Sequence, residues 1–191
     1  MELWKVCRAI NNPIRLDMLR FIAQSPERGL NVLQVGDFVG LQRAAASQYL
    51  KQLSTVGFID VERSGKFAVC SCSKCSGSAA GIIYGALETL FPKPNRVFAI
   101  PPKAGWQDEF LEIINAFSFS VRTSILQELL QHGRVGFETL QLNTKLPAKT
   151  LKRQIGILIS ARVVEPQEST GAGYCLSTRK DPLLEALVKC L

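Results

Sequence analysis

Apolar residues recur at helical spacing through most of the chain. Leu3, Val6 and Ile10 mark a first helix. Asn12-Pro13 reads as an N-cap followed by proline at the first helical position, and Leu16, Leu19, Phe21 and Ile22 carry a second helix to Ser25-Pro26. A third, short helix follows Asn31, with Val32, Val35 and Phe38 expected inward. Gly40 ends it, because glycine takes a positive φ at no steric cost. A fourth helix covers Gln42 to Thr55, where Ala46, Leu50 and Leu53 share one face and Gly57 stops the run. The period then changes. Phe58-Ile59-Asp60-Val61-Glu62 alternates as a strand, Ser64-Gly65 turns, and Phe67-Ala68-Val69 returns. A last helix spans Ala79 to Leu90. Helix, helix, helix-turn-helix, hairpin, helix is the order of a winged helix-turn-helix, mainly α with a small β-hairpin.

The same grammar occurs twice. Ala9 to Leu19 aligns with Ala116 to Leu126 at an offset of 107, with Ala, Arg (Arg15 and Arg122) and the final Leu identical. Downstream the offset becomes 105. Leu41 then meets Leu146, Leu50 meets Ile155, Leu53 meets Leu158, and Cys70 meets Cys175. A loop shortened by two residues accounts for the change. Two copies of one domain follow, hence tandem winged helix-turn-helix domains. Pro92, Pro94, Pro101 and Pro102 exclude regular structure between the copies. The expected organisation is therefore a first domain over 1–91, a proline-rich linker over 92–105 and a second, diverged domain over 106–191.

Charge adds a partner to this picture. Lys and Arg number 23 against 16 acids, a formal net charge of +7, and a basic balance favours a polyanion. The acids are also distributed unevenly. From Phe38 to Ile59 there is none, and from Thr139 to Val164 there is none. A helix that enters the major groove must carry small or polar groups and must not repel phosphate. On the fourth helix the outward positions are Gln42, Arg43, Ala44, Ser47, Gln48 and Lys51. In the second copy the matching helix carries Lys149, Lys152 and Arg153. Arg63 and Lys66 flank the hairpin tip, where a wing reaches phosphate or the minor groove. These are the candidate contacts to double-stranded DNA.

The first copy resembles the ArsR-type bacterial repressors. Ala9 … Pro13-Ile14-Arg15-Leu16-Asp17-Met18-Leu19 is similar to the motif of that family's second helix. Ser47-Gln48-Tyr49-Leu50-Lys51-Gln52-Leu53 … Gly57-Phe58-Ile59 is similar to the end of its recognition helix. The resemblance covers residues 3–70. It implies a dimeric, sequence-specific repressor that uses the recognition helix and wing. Tyr49 stands where the family has a histidine, and its hydroxyl can still donate to phosphate. In the second copy the marker glycines are replaced, Gly40 by Lys145 and Gly57 by Arg162. Family members pair as homodimers, and two copies in one chain could instead form an intrachain pseudo-dimer. Leu3, Trp4, Val6, Phe110, Leu111, Ile113 and Ile114 are apolar enough for such a seam, as are Ile82, Ile83, Leu87, Leu183, Leu184 and Leu187.

Six cysteines are too few and too unevenly spread for a disulfide scaffold, so reduced thiols and a cytoplasmic location are expected. The N-terminal stretch has no secretory layout, and no apolar run is long enough to span a membrane. Cys70, Cys72 and Cys75 cluster after the wing. Clustered thiolates suit soft ions such as zinc, cadmium or trivalent arsenic, and the resemblance implies release of DNA by such an ion. The family's usual Cys-x-Cys in the third helix is absent, and a buried strand cysteine explains Cys70 equally well. An enzyme is not expected. The single histidine, His132, has no base–orienter partner in the sequence and sits at a helix end before Gly133. A winged helix that binds protein rather than DNA is the rival reading.

Overall fold

A computed structural model describes residues 2–25, 29–65, 67–73, 77–90, 106–167 and 173–191. The described chain is mainly α-helical, with two small antiparallel sheets. Its first half runs α1 (Leu3–Ile10), α2 (Pro13–Ala23), β1 (Leu30–Asn31), α3 (Val32–Val39), α4 (Arg43–Thr55), β2 (Ile59–Ser64), β3 (Phe67–Cys72) and α5 (Ala79–Leu90). The second half repeats this order: α6 (Trp106–Phe117), α7 (Ser120–His132), β4 (Arg134–Val135), α8 (Phe137–Thr144), α9 (Ala148–Ser160), β5 (Val164–Gln167), β6 (Gly173–Leu176) and α10 (Pro182–Val188). The sheets have the orders β1-β3-β2 and β4-β6-β5. Cys70 lies in the middle strand of the first, between Leu30 and Val61, and Cys175 in the middle strand of the second, between Arg134 and Glu165. No described helix is long and apolar enough to cross a membrane.

The chain forms two compact units. One contains residues 9–107; the other combines residues 2–8 with 108–191. Sequence reading assigns the whole first helix to the first domain, whereas residues 2–8 group with the second unit. There Leu3, Val6 and Cys7 are buried, and burial together with the neighbouring Cys190 pushes the Cys7 thiol up. The expected linker, 92–105, lies outside the described residues.

Local chemistry explains most element ends in the first unit. Asn12 Oδ1 accepts from the Arg15 amide at 3.1 Å and Pro13 opens α2. Asn31 and Gln34 exchange hydrogen bonds of 2.9 Å in a capping box at the start of α3. Gly40 and Gly57 take left-handed φ values of 70° and 83°. The inward faces are those the spacing predicts: Leu16, Leu19 and Ile22 on α2, Ala46, Leu50 and Leu53 on α4. Phe38 is the exception. Expected inward, it is 41 % exposed, and its ring lies flat on Phe21 with centroids 4.0 Å apart. Val35 alone among the three expected positions of α3 is fully buried, because an eight-residue helix turned onto α2 and α4 hides only a narrow stripe. Strands β1 and β4 escape sequence reading altogether, since two residues carry no period.

Candidate nucleic-acid interface

Helix α4 buries Ala46, Leu50 and Leu53, and this fixes which side it presents outward. Gln42, at its N-cap, and Arg43, Ala44, Ser47, Gln48 and Lys51 are all exposed. Helix α9 buries Leu151, Ile155 and Leu158 and exposes Lys149, Lys152 and Arg153 on the opposite side. Arg63 is exposed on β2, opposite Ala68 of β3. Lys66 lies outside the described residues. The structure thus brings the α4 candidates onto one face of the first unit and the three α9 cations onto one face of the second.

These cations share an electrostatic feature. Among the described residues none of Arg43, Lys51, Arg63, Lys149, Lys152 and Arg153 has a carboxylate within ion-pair distance. The ion pairs among the described residues join other groups: Glu2 with Lys5, Asp17 with Arg20, and Arg179 with both Glu109 and Asp181. Glu128 also lies 3.7 Å from His132, which is exposed at the end of α7. Exposed cations without acidic neighbours keep their full field for an external anion.

Tyr49 departs from the α4 face. It is half-buried, and the Arg15 guanidinium stands 5.8 Å from its ring centroid. Burial lowers the Arg15 pKa, while Tyr49 opposes that shift. Sequence reading took Arg15 as a motif residue and did not mark its repeat partner Arg122 as functional. Arg122 is 3 % exposed. Its Nη2 donates to Asn115 Oδ1 at 3.2 Å, and its guanidinium lies 4.3 Å from the Phe119 ring centroid. Burial, and then the charge of Arg153, lower its pKa. The identity of Arg15 and Arg122 across the repeat is the signal that could have singled it out.

The thiols do not assemble into a metal site among the described residues, where no group of three or more His, Cys, Asp or Glu is placed to hold an ion. Cys75 lies outside them. Cys70 is fully buried, and burial pushes its thiol up to about 11. Cys72 is half-buried beside Tyr84; burial raises its pKa and a hydrogen bond with Tyr84 lowers it. Cys175, the repeat partner of Cys70, is held by Gln167 Nε2, which donates to its sulfur at 3.3 Å.

No known protein family matches the chain, and no curated protein matches it. Among solved structures, human N-acetylserotonin methyltransferase in complex with SAM is similar over 84 % of this chain, at 14 % identity and a TM-score of 0.37. The chain spans 39 % of the length of that protein's chain. A likeness at that TM-score assigns neither fold nor activity.

Proposed function

We propose that the chain is a cytoplasmic, DNA-binding transcriptional regulator, a repressor built from two tandem winged helix-turn-helix units of ArsR-like type. One observation carries this reading. The outward faces of α4 and α9 present exposed cations that no described carboxylate neutralises, and each lies in a stretch of chain without an acid, 38–59 and 139–164. In the first unit α3 and α4 form the helix pair, α4 enters the major groove with Gln42, Arg43, Ser47 and Gln48 near the bases, and the β2–β3 hairpin is the wing. Homodimers or pairing within one chain would both present two such units to a duplex.

Selection of bound duplexes from a random pool, followed by titration against salt, tests the reading. Enrichment of one sequence and a steep fall of affinity with salt are expected. Arg43→Ala should relax sequence preference, at a cost of about 1–3 kcal/mol for the selected site. No enrichment and no salt-dependent binding would leave the protein-binding alternative, which the exposed Leu33, Phe38 and Leu142 favour.

A further inference from the structure

The second unit holds a half-open cleft of about 310 Å³, lined by Glu109, Glu112 and Ile113 of α6, Ala161 and Arg162 just after α9, and Arg179 between β6 and α10. Two carboxylates and two guanidinium groups give this lining no net charge. One pair is already engaged. Arg179 Nη2 donates to Glu109 Oε1 and, at 3.0 Å, to Asp181 Oδ2, while the Arg179 amide donates to Ser177 Oγ at 3.3 Å. The other two charges are not. Among the described residues neither Glu112 nor Arg162 is in an ion pair, and both are exposed. Ile113 and Ala161, 3 % and 7 % exposed, supply the apolar part of the lining. Arg162 also stands there against its backbone preference. Its φ is 55°, in the left-handed region, where the first unit has Gly57. Glycine would make this turn without steric cost, whereas a side chain there is strained and persists only where the surroundings offset it. The strained residue is the one cation of the cleft that lacks an acidic partner.

We propose that this cleft binds a small zwitterion of the free α-amino acid class. Arg162 takes the carboxylate, Glu112 the ammonium group, and Ile113 with Ala161 an apolar side chain. A guanidinium offers a carboxylate two parallel donors, and a carboxylate is the natural acceptor for an ammonium group. A simple anion would leave Glu112 unpaired and a simple cation would leave Arg162 unpaired, so a lining with one open charge of each sign favours a ligand that carries both. The volume lies at the lower end of the range of about 300–1,000 Å³ typical of small-molecule sites, which suits a single small metabolite. The Glu109–Arg179 pair keeps its own partners and shapes the wall. The inference does not depend on the DNA reading.

The test titrates the full chain with free alanine, valine and leucine, and follows melting temperature and heat of binding. N-acetylvaline, valinamide, succinate and putrescine are the controls, because each carries charge of one sign. At least one free amino acid should raise the melting temperature, and the controls should not. Glu112→Gln and Arg162→Gly should each weaken that binding by about tenfold or more, the loss of one charge-assisted contact. Arg162→Gly also relieves the left-handed turn, so without ligand it should melt at or above the wild type. Loss of binding in that variant then reports the missing guanidinium and not a missing fold. No shift with any of the three amino acids would overturn the inference, as would an equal shift with succinate or putrescine, or undiminished binding in either variant. An unliganded Arg162→Gly chain that melts below the wild type would give Arg162 a structural role and overturn it as well.

Discussion

The two halves of the chain follow the same order of elements with different residues. Helices α4 and α9 have 13 residues each, and α3 and α8 have eight. In the first unit the turns that bracket α4 end on Gly40 and Gly57, at φ of 70° and 83°. In the second, Lys145 and Arg162 hold the same left-handed conformation, both at φ 55°. The N-caps differ in the same direction. Asn31 closes a capping box on α3, while Gly136 gives α8 no side-chain cap. The core is the common element: Leu50 and Leu53 in one copy, Ile155 and Leu158 in the other, all buried. Packing of apolar faces is strong enough to impose the turn, and the residues that favour a turn locally only lower its cost. A Cβ at Gly40 or Gly57 would meet nothing within 4 Å, so the preference for glycine there is conformational and not steric.

The largest effect expected from this comparison is in the shared core. Leu53→Ala and Leu158→Ala should each cost about 2–5 kcal/mol in the unit that contains them, read by chemical denaturation. A large loss for one variant and none for the other would break the equivalence of the two units. The turns come next. Gly40→Lys should cost the first unit about 1 kcal/mol, and Lys145→Gly should return up to about that much to the second, measured as opposite shifts in denaturation midpoint. Shifts of the same sign would show that the side chain at Lys145 contributes more than its backbone strain removes. The caps are smallest. Asn31→Ala should cost about 1 kcal/mol, and Gly136→Asn should stabilise α8 by a few tenths, both visible in the same denaturation curves.

The outward faces diverge for a different reason. Aligned on the repeat, Ala44, Ser47 and Gln48 of α4 become Lys149, Lys152 and Arg153 of α9. Exposed positions are free of packing constraint, so they record what meets the helix and not what folds it. The α4 positions are small or polar where the α9 positions are cationic, so the two faces offer a partner different chemistry.

Much of this was readable without coordinates, where periodicity applied. The closing helix Ala79–Leu90 falls within the residues its apolar spacing predicts, and α4 starts one residue inside its predicted limit. The α4 candidates are exposed because three apolar positions fix the orientation of the whole helix. Phe38 misled, because an aromatic at the end of a short helix can satisfy its apolar surface by stacking on Phe21 at the surface. Tyr49 lies beside that face rather than on it, drawn to Arg15 across 33 intervening residues.

Sequence alone determined the helices, the hairpins and the repeated order of elements, because these follow from spacing between neighbours along the chain. Three things waited for the tertiary structure: that residues 2–8 group with the second unit, that Lys145 and Arg162 adopt left-handed turns, and that Arg122 is buried with no carboxylate within ion-pair distance among the described residues. Each depends on what distant segments place around a residue, and no local pattern encodes that environment.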